Sequence, residues 1–224
     1  QEALTEGWKI ILTNQFHDII PGSSIHEVYE DSRKDYQKTE QIAQSVIDNY
    51  VAQAVQAQPD TFTVYNASGW ELDEMVSVPT TAQGTFTDAQ GNVLPAQSAE
   101  NATYVQVGKV PAMGHKTIRF QAGASQAQPS PFTVEGKKIE TPFYSLELND
   151  CGQMVRLFDK DNQREVFAQG QRGNVLQVFE DKPLDNDAWD IDIFYQQKMR
   201  EVTDLTAFEV KECGPLRLVI HMEW

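Results

Sequence analysis

The sequence predicts an α+β protein: a two-helix segment resembling the end of a helical bundle, then a small antiparallel β-sandwich and the beginning of a larger β-sandwich. Three observations lead there. Apolar residues recur at three- and four-residue spacing over residues 1–58. From Thr61 the period changes to two, with turn residues roughly every ten positions. Residues 121–131, QAGASQAQPSP, are small, polar and proline-containing, and divide two β regions. The corresponding division is 1–58, 59–126 and 127–224.

In the first helix Leu4, Trp8, Ile11 and Gln15 share one face, and residues 3–16 read as helical. Pro21 turns Ile20 away from helical geometry, and Gly22 allows a tight turn. Ser23 or Ser24 can cap a second helix, with Glu27 completing a capping box from Ser24. That helix extends to about Gln56. Ile25, Val28, Tyr29, Tyr36, Ala43, Val46, Ile47, Tyr50 and Ala54 form its apolar side, and Arg33, Lys34, Lys38 and Glu40 its polar side. Strands follow at 61–65, 75–78, 103–107 and 115–120. In the second β region they fall near Ile139 and at 143–148, 154–158, 175–179 and 207–210.

The chain has 224 residues, enough to bury a core, and its 40% hydrophobic content is ordinary for a soluble globular protein. The net charge of −15 opposes both phosphate backbones and anionic lipid, so neither nucleic acid nor a membrane is an expected partner. No apolar run is long enough to span a bilayer. The first residues, QEALTEGWKII, lack a basic n-region and an apolar h-region and do not read as a signal peptide, so a cytoplasmic location is expected. Cys151 and Cys213 match neither a zinc ribbon nor a CxxC motif and are expected as buried free thiols. The sequons at Asn66 and Asn101 read as chance matches. Both ends fall within regular elements, which suggests a fragment of a longer polypeptide.

The residues with chemical content are Asn14-Gln15-Phe16-His17-Asp18-Ile19-Ile20-Pro21-Gly22-Ser23-Ser24-Ile25. They put a histidine and an aspartate side by side at a helix end. Neutral imidazole is a good zinc ligand, and a carboxylate accepts hydrogen bonds from polar substrates. Such a pair equally serves as a cap or a surface pair. His26 reads as a surface or packing residue. The run Asp181, Asp185, Asp187, Asp190, Asp192 lacks the glycine and terminal glutamate of an EF-hand.

The His17–Asp18 segment resembles the NQFHDILPGSSI-type motif of glycoside hydrolase family 38, the zinc-dependent α-mannosidases of bacterial type. A second stretch, Gly173-Asn174-Val175-Leu176, Glu180-Asp181-Lys182-Pro183 and Asp187-Ala188-Trp189-Asp190, resembles the start of that family's large C-terminal β domain. The likeness covers essentially the whole chain. It implies that His17 binds one active-site zinc ion and that Asp18 contacts hydroxyls of a terminal α-linked mannose. Trp189, Asp187 and Asp190 are implied in the sugar cleft, although a buried structural role for Trp189 is an equal alternative. The remaining zinc ligands, an HxD pair and the aspartate nucleophile, belong to an N-terminal catalytic domain. None of the four histidines here is followed by aspartate at +2, so no catalytic nucleophile or acid/base is expected within these residues. The expected partners are thus that domain and a mannose-containing oligosaccharide, with homodimerisation left open. The rival reading is a stand-alone carbohydrate-binding or interaction module of β-sandwiches with a helical stalk.

A lone imidazole supplies too few ligands for tight zinc binding. The isolated chain should therefore lose zinc on dialysis and release no mannose from mannosides, as metal analysis and a hydrolysis assay will show.

Overall fold

The computed structural model describes residues 1–54, 58–124, 128–186 and 189–224. It confirms the α+β class: two helices precede antiparallel sheets. The chain divides into two compact units, Gln1–Ala57 with Phe179–Arg200, and Gln58–Val178 with Glu201–Trp224.

In the first unit, α1 spans Glu2–Asn14 and α2 spans His26–Ala54. They approach closely where Gly7 has no side chain. A Cβ there would already lie 3.7 Å from the methyls of Thr39 and Ile42. Asn14 is buried at the last turn of α1, and its amide donates to Ile10 O (3.1 Å) and to Asp35 Oδ2 of α2 (3.0 Å). Lys38 pairs with Glu6 on the surface at 3.4 Å. The apolar stripes extend beyond this contact: Trp8, Leu12, Phe16, Ile20, Ile25, Val46 and Ile47 are all exposed. The expected capping box does not form. Ser24 Oγ turns back to Asp18 O instead (2.7 Å), because α2 begins two residues later, at His26.

In the second unit, β1 (Thr61–Tyr65), β2 (Leu72–Val78), β3 (Gly84–Thr87), β4 (Ala96–Ser98), β5 (Thr103–Val110) and β6 (His115–Ala122) build two three-stranded sheets. Their orders are β1-β6-β3 and β2-β5-β4, antiparallel throughout. Phe86 and Ile118 from one sheet meet Val78, Val105, Val107 and Val110 from the other, making a small sandwich with a dry core. The inward residues of β5 skip from Val107 to Val110 because a bulge in β5 sets Val107 and Gly108 opposite the single Glu74 of β2. Gly108 takes the positive φ (68°) that the bulge needs.

Asn66 ties down the turn after β1. It is 4% exposed, its amide donates to Trp70 O (2.8 Å), Val110 O and Pro111 O (both 3.1 Å), and its Oδ1 accepts from Ser68. The sequon nitrogen is thus fully engaged inside the fold.

The second β region starts with a meander of β7 (Thr133–Glu135), β8 (Lys138–Glu140), β9 (Tyr144–Leu148), β10 (Met154–Asp159) and β11 (Arg164–Glu165). The short strands β12 (Gln177–Phe179) and β13 (Met199–Glu201) pair and enclose a loop with a 3₁₀ turn at Ile193–Gln197. β14 (Ala207–Cys213) and β15 (Leu218–Glu223) form a hairpin. Both cysteines are free, as expected, but Cys213 is exposed and Cys151 only half-buried.

Gln97 of β4 joins the small sandwich to that hairpin. Its amide donates to Glu212 Oε2 (2.9 Å) and Arg217 O (3.1 Å), and its oxygen accepts from the N–H groups of Leu216 (3.0 Å) and Arg217 (2.9 Å). Arg217 pairs with Glu212 through two N–H groups and lies 3.6 Å above the centre of the Tyr104 ring.

Two stability outcomes follow. Asn66→Ala strands buried carbonyls and should cost about 2–3 kcal/mol, read from urea unfolding. The Arg217 guanidinium, with Gln97 assisting, holds the Glu212 carboxyl below its ordinary pKa. A depressed carboxyl pKa stabilises the fold above the unfolded-state value, and that contribution disappears as pH falls through the folded-state value. The thermal midpoints of wild type and Glu212→Gln should therefore converge as the pH drops below the usual glutamate range.

Candidate functional site

The site residues sit where α1 ends and α2 has not yet begun. The backbone leaves the helix through tightening turns: Phe16 N–H donates to Thr13 O (3.2 Å), Ile19 N–H to Phe16 O (2.9 Å) and Gly22 N–H to Ile19 O (3.2 Å). Pro21 forbids continuation, and Gly22 takes φ 89°, which a side chain would resist. The turns put consecutive residues on an outward corner. The side chain of His17 is 73% exposed there, and its ring packs at 4.4 Å, tilted, against Phe16.

His17 Nε2 lies 3.5 Å from Asp18 Oδ2, too far for a good hydrogen bond but close enough for both to face one ligand. The two oxygens of Asp18 differ. Oδ2 faces the imidazole, whereas Oδ1 is buried and has no hydrogen-bond partner among the described residues. An unpartnered buried carboxylate oxygen is costly, so this atom has an unmet demand for a donor.

The backbone carbonyl of Asp18 is, by contrast, heavily used. It accepts from Ser24 Oγ (2.7 Å), Ser23 Oγ (3.3 Å) and Tyr29 OH (3.3 Å). Tyr29 OH also reaches Ile19 O at 3.4 Å and accepts from Ser24 N–H at 2.9 Å. The sequence reading assigned Ser24 to a helix cap and Tyr29 to an apolar face. Only the polar end of Tyr29, which needs a partner when half-buried, hinted otherwise.

The other candidates lie elsewhere on the chain. Trp189 is 62% exposed within this chain. Its N–H and that of Asp190 donate to Asn186 O at 2.7 and 2.9 Å. Asp187 lies outside the described residues. The neck of this loop is held by Glu180, whose carboxylate receives Lys182 and Lys198 (3.0 Å for the latter) and is thereby kept below its ordinary pKa. Asp192 Oδ2 accepts Leu184 N–H at 2.8 Å, a structural use for one member of the acidic run. His26 is an exposed surface residue 3.3 Å from Glu30. Among the described residues no group of three or more His, Cys, Asp and Glu is placed to hold a metal ion. His17 and Asp18 therefore form a two-donor edge that would need further ligands from outside these residues.

Comparison with known proteins adds three findings. A model of the α-mannosidase middle domain matches residues 1–53, and a model of the glycosyl hydrolases family 38 C-terminal domain matches residues 139–224. The chain is 27% identical to α-mannosidase G of Dictyostelium discoideum, with 99% of the chain and 24% of that protein aligned. It is 23% identical to α-mannosidase 2C1 of Homo sapiens, with 87% of the chain and 18% of that protein aligned. It thus spans less than a third of the length of these relatives. The crystal structure of an α-mannosidase from Enterococcus faecalis V583 superimposes with a TM-score of 0.72 over 99% of this chain and 30% of that one, at 15% identity, which shows a shared fold. The His17–Asp18 corner falls inside the first matched segment and the Trp189 loop inside the second, so the two candidate regions lie in segments that match the α-mannosidase middle domain and the glycosyl hydrolases family 38 C-terminal domain.

Proposed function

We propose that this chain is the middle and C-terminal part of a zinc-dependent retaining α-mannosidase that removes terminal α-linked mannose from oligosaccharides. His17 is then one zinc ligand, and Asp18 binds hydroxyls of the mannose in the catalytic subsite. The observation that carries the reading is the Asp18 carboxylate, with one oxygen beside an exposed imidazole and the other buried and unpartnered.

The donor chemistry fits the metal. An accessible imidazole nitrogen is a preferred zinc ligand, and further donors would come from the N-terminal domain expected from the family resemblance. Bound there, zinc would act as a Lewis acid that orients sugar hydroxyls. Asp18 is acceptor-only when ionised, so it selects hydroxyl donors and holds them by charge-assisted hydrogen bonds. Phe16 packs its tilted ring against one side of the imidazole and leaves the other side open. The exposed Trp189 offers a flat apolar face to a sugar ring, with Asp190 next to it and Asp187 as a further hydroxyl acceptor. The two carboxyl groups needed for double displacement lie on the preceding domain. That domain also covers Trp8, Leu12, Phe16, Ile20 and Ile25, whose exposure along α1 and the corner that follows it is unusual for a finished surface.

The test uses the full-length protein, a panel of mannobiosides, and assays with and without chelator. His17→Ala should lower zinc content and reduce kcat/KM by at least about 100-fold, more than loss of an outer-shell partner. Asp18→Asn should keep zinc but reduce kcat/KM by about 10- to 100-fold, the worth of hydrogen bonds to a charged group. Full zinc content and activity in His17→Ala would remove this residue from the metal site.

A further inference from the structure

We infer that Tyr29 and Ser24 are positioning residues that set the Asp18 carboxylate for sugar binding, through hydroxyl contacts to the Asp18 backbone rather than to the substrate. The inference rests on the reading of Asp18 given above.

The corner from Gln15 to Ile25 contains no regular element, so its backbone is fixed only by local turns and by hydrogen bonds from outside. Tyr29 belongs to the first turns of α2, which is 29 residues long and anchored to α1 by Asn14 and Asp35. Its phenol is therefore held by a rigid element. The single hydroxyl proton is shared between two carbonyls, Asp18 O at 3.3 Å and Ile19 O at 3.4 Å, and the oxygen accepts Ser24 N–H at 2.9 Å. Ser24 then closes the circuit by donating its own hydroxyl to Asp18 O at 2.7 Å, the shortest contact of the group. A closed ring of hydrogen bonds thus runs from α2 through Ser24 to the carbonyl of Asp18.

Those contacts determine the plane of the peptide following Asp18, and with it the direction of the Cα–Cβ bond. The carboxylate gets no comparable support of its own: Oδ1 has no partner among the described residues, and Oδ2 has only the long contact to His17. Its position is consequently inherited from the main chain. Misplacement of a binding group by about 1 Å can cost up to about 100-fold in rate. Ser23 Oγ, at the same 3.3 Å as Tyr29, is a third donor to an oxygen with two lone pairs, and its one hydroxyl cannot replace both others.

The experiment compares Tyr29→Phe, Ser24→Ala and Ser24→Thr in the full-length protein with Asp18→Asn and the Tyr29→Phe/Asp18→Asn double variant. Readouts are kcat and KM for an aryl α-mannoside, affinity for methyl α-thiomannoside as an unreactive ligand, zinc content and thermal midpoint. Tyr29→Phe and Ser24→Ala should each lower kcat/KM and thiomannoside affinity by about ten-fold with zinc retained. Ser24→Thr, which keeps the hydroxyl, should restore both. The effect of Tyr29→Phe should vanish in the Asp18→Asn background, since it acts through that carboxylate. Unchanged constants in folded Tyr29→Phe and Ser24→Ala, a lowered midpoint as their sole effect, or additivity in the double variant would each overturn the clamp while leaving Asp18 in the site. Unchanged constants in Asp18→Asn would instead overturn the sugar-binding reading itself, and the clamp with it.

Discussion

Between α1 and α2 the chain must reverse direction without a helical hydrogen-bond ladder, and the carbonyl oxygen of Asp18 is where the reversal is fastened. Pro21 removes a donor and Gly22 supplies a left-handed turn, but neither holds the corner in place. The hydroxyls of Ser23, Ser24 and Tyr29 do. Satisfying one backbone acceptor in this way leaves the side chains of His17 and Asp18 with few partners of their own. A rigid main chain under sparsely bonded, outward-facing side chains is the arrangement expected of groups reserved for a ligand.

The β part obeys a different constraint. Its first sandwich is organised by apolar burial between two three-stranded sheets, and its turns by single polar residues with several partners. Asn66 fixes the turn after β1, and Asp159 does the same after β10 by accepting from the N–H groups of Asp161 and Asn162. These contacts hold that carboxyl below its usual range. Gln153, almost wholly buried, plays a similar part in the second region. It bonds Asn149, Arg172 and Glu201 and thereby connects the start of β10 to the end of β13.

Much of this was legible in the sequence because it has a period. The two helices, the break at Pro21, the span of β1 and the alternation of β5 all follow from spacing alone. β3, β4 and β11 did not, because strands of two to four residues show no alternation and exist through the neighbours they pair with. The extra residue in β5 is invisible to a strict period of two. At the site, His17 and Asp18 stood out as residue types, yet their weight came from resemblance to a family motif. Ser24 and Tyr29 were misassigned because a hydroxyl that bonds a carbonyl across a turn leaves no periodic trace. Trp189 could be placed on the chain but not assigned to interior or surface, since large aromatic rings serve both.

Gln97 has a consequence of its own. It sits on the short strand β4, well before the proline-containing stretch that separates the two β regions, yet all four of its side-chain hydrogen bonds end on the β14–β15 hairpin more than a hundred residues later. Covalent order and chemical order therefore disagree here. Cutting the polypeptide at residue 126 would release a sandwich whose strands are complete. Its outer surface would nonetheless carry a hungry amide and a bare Tyr104 ring where Arg217 used to rest.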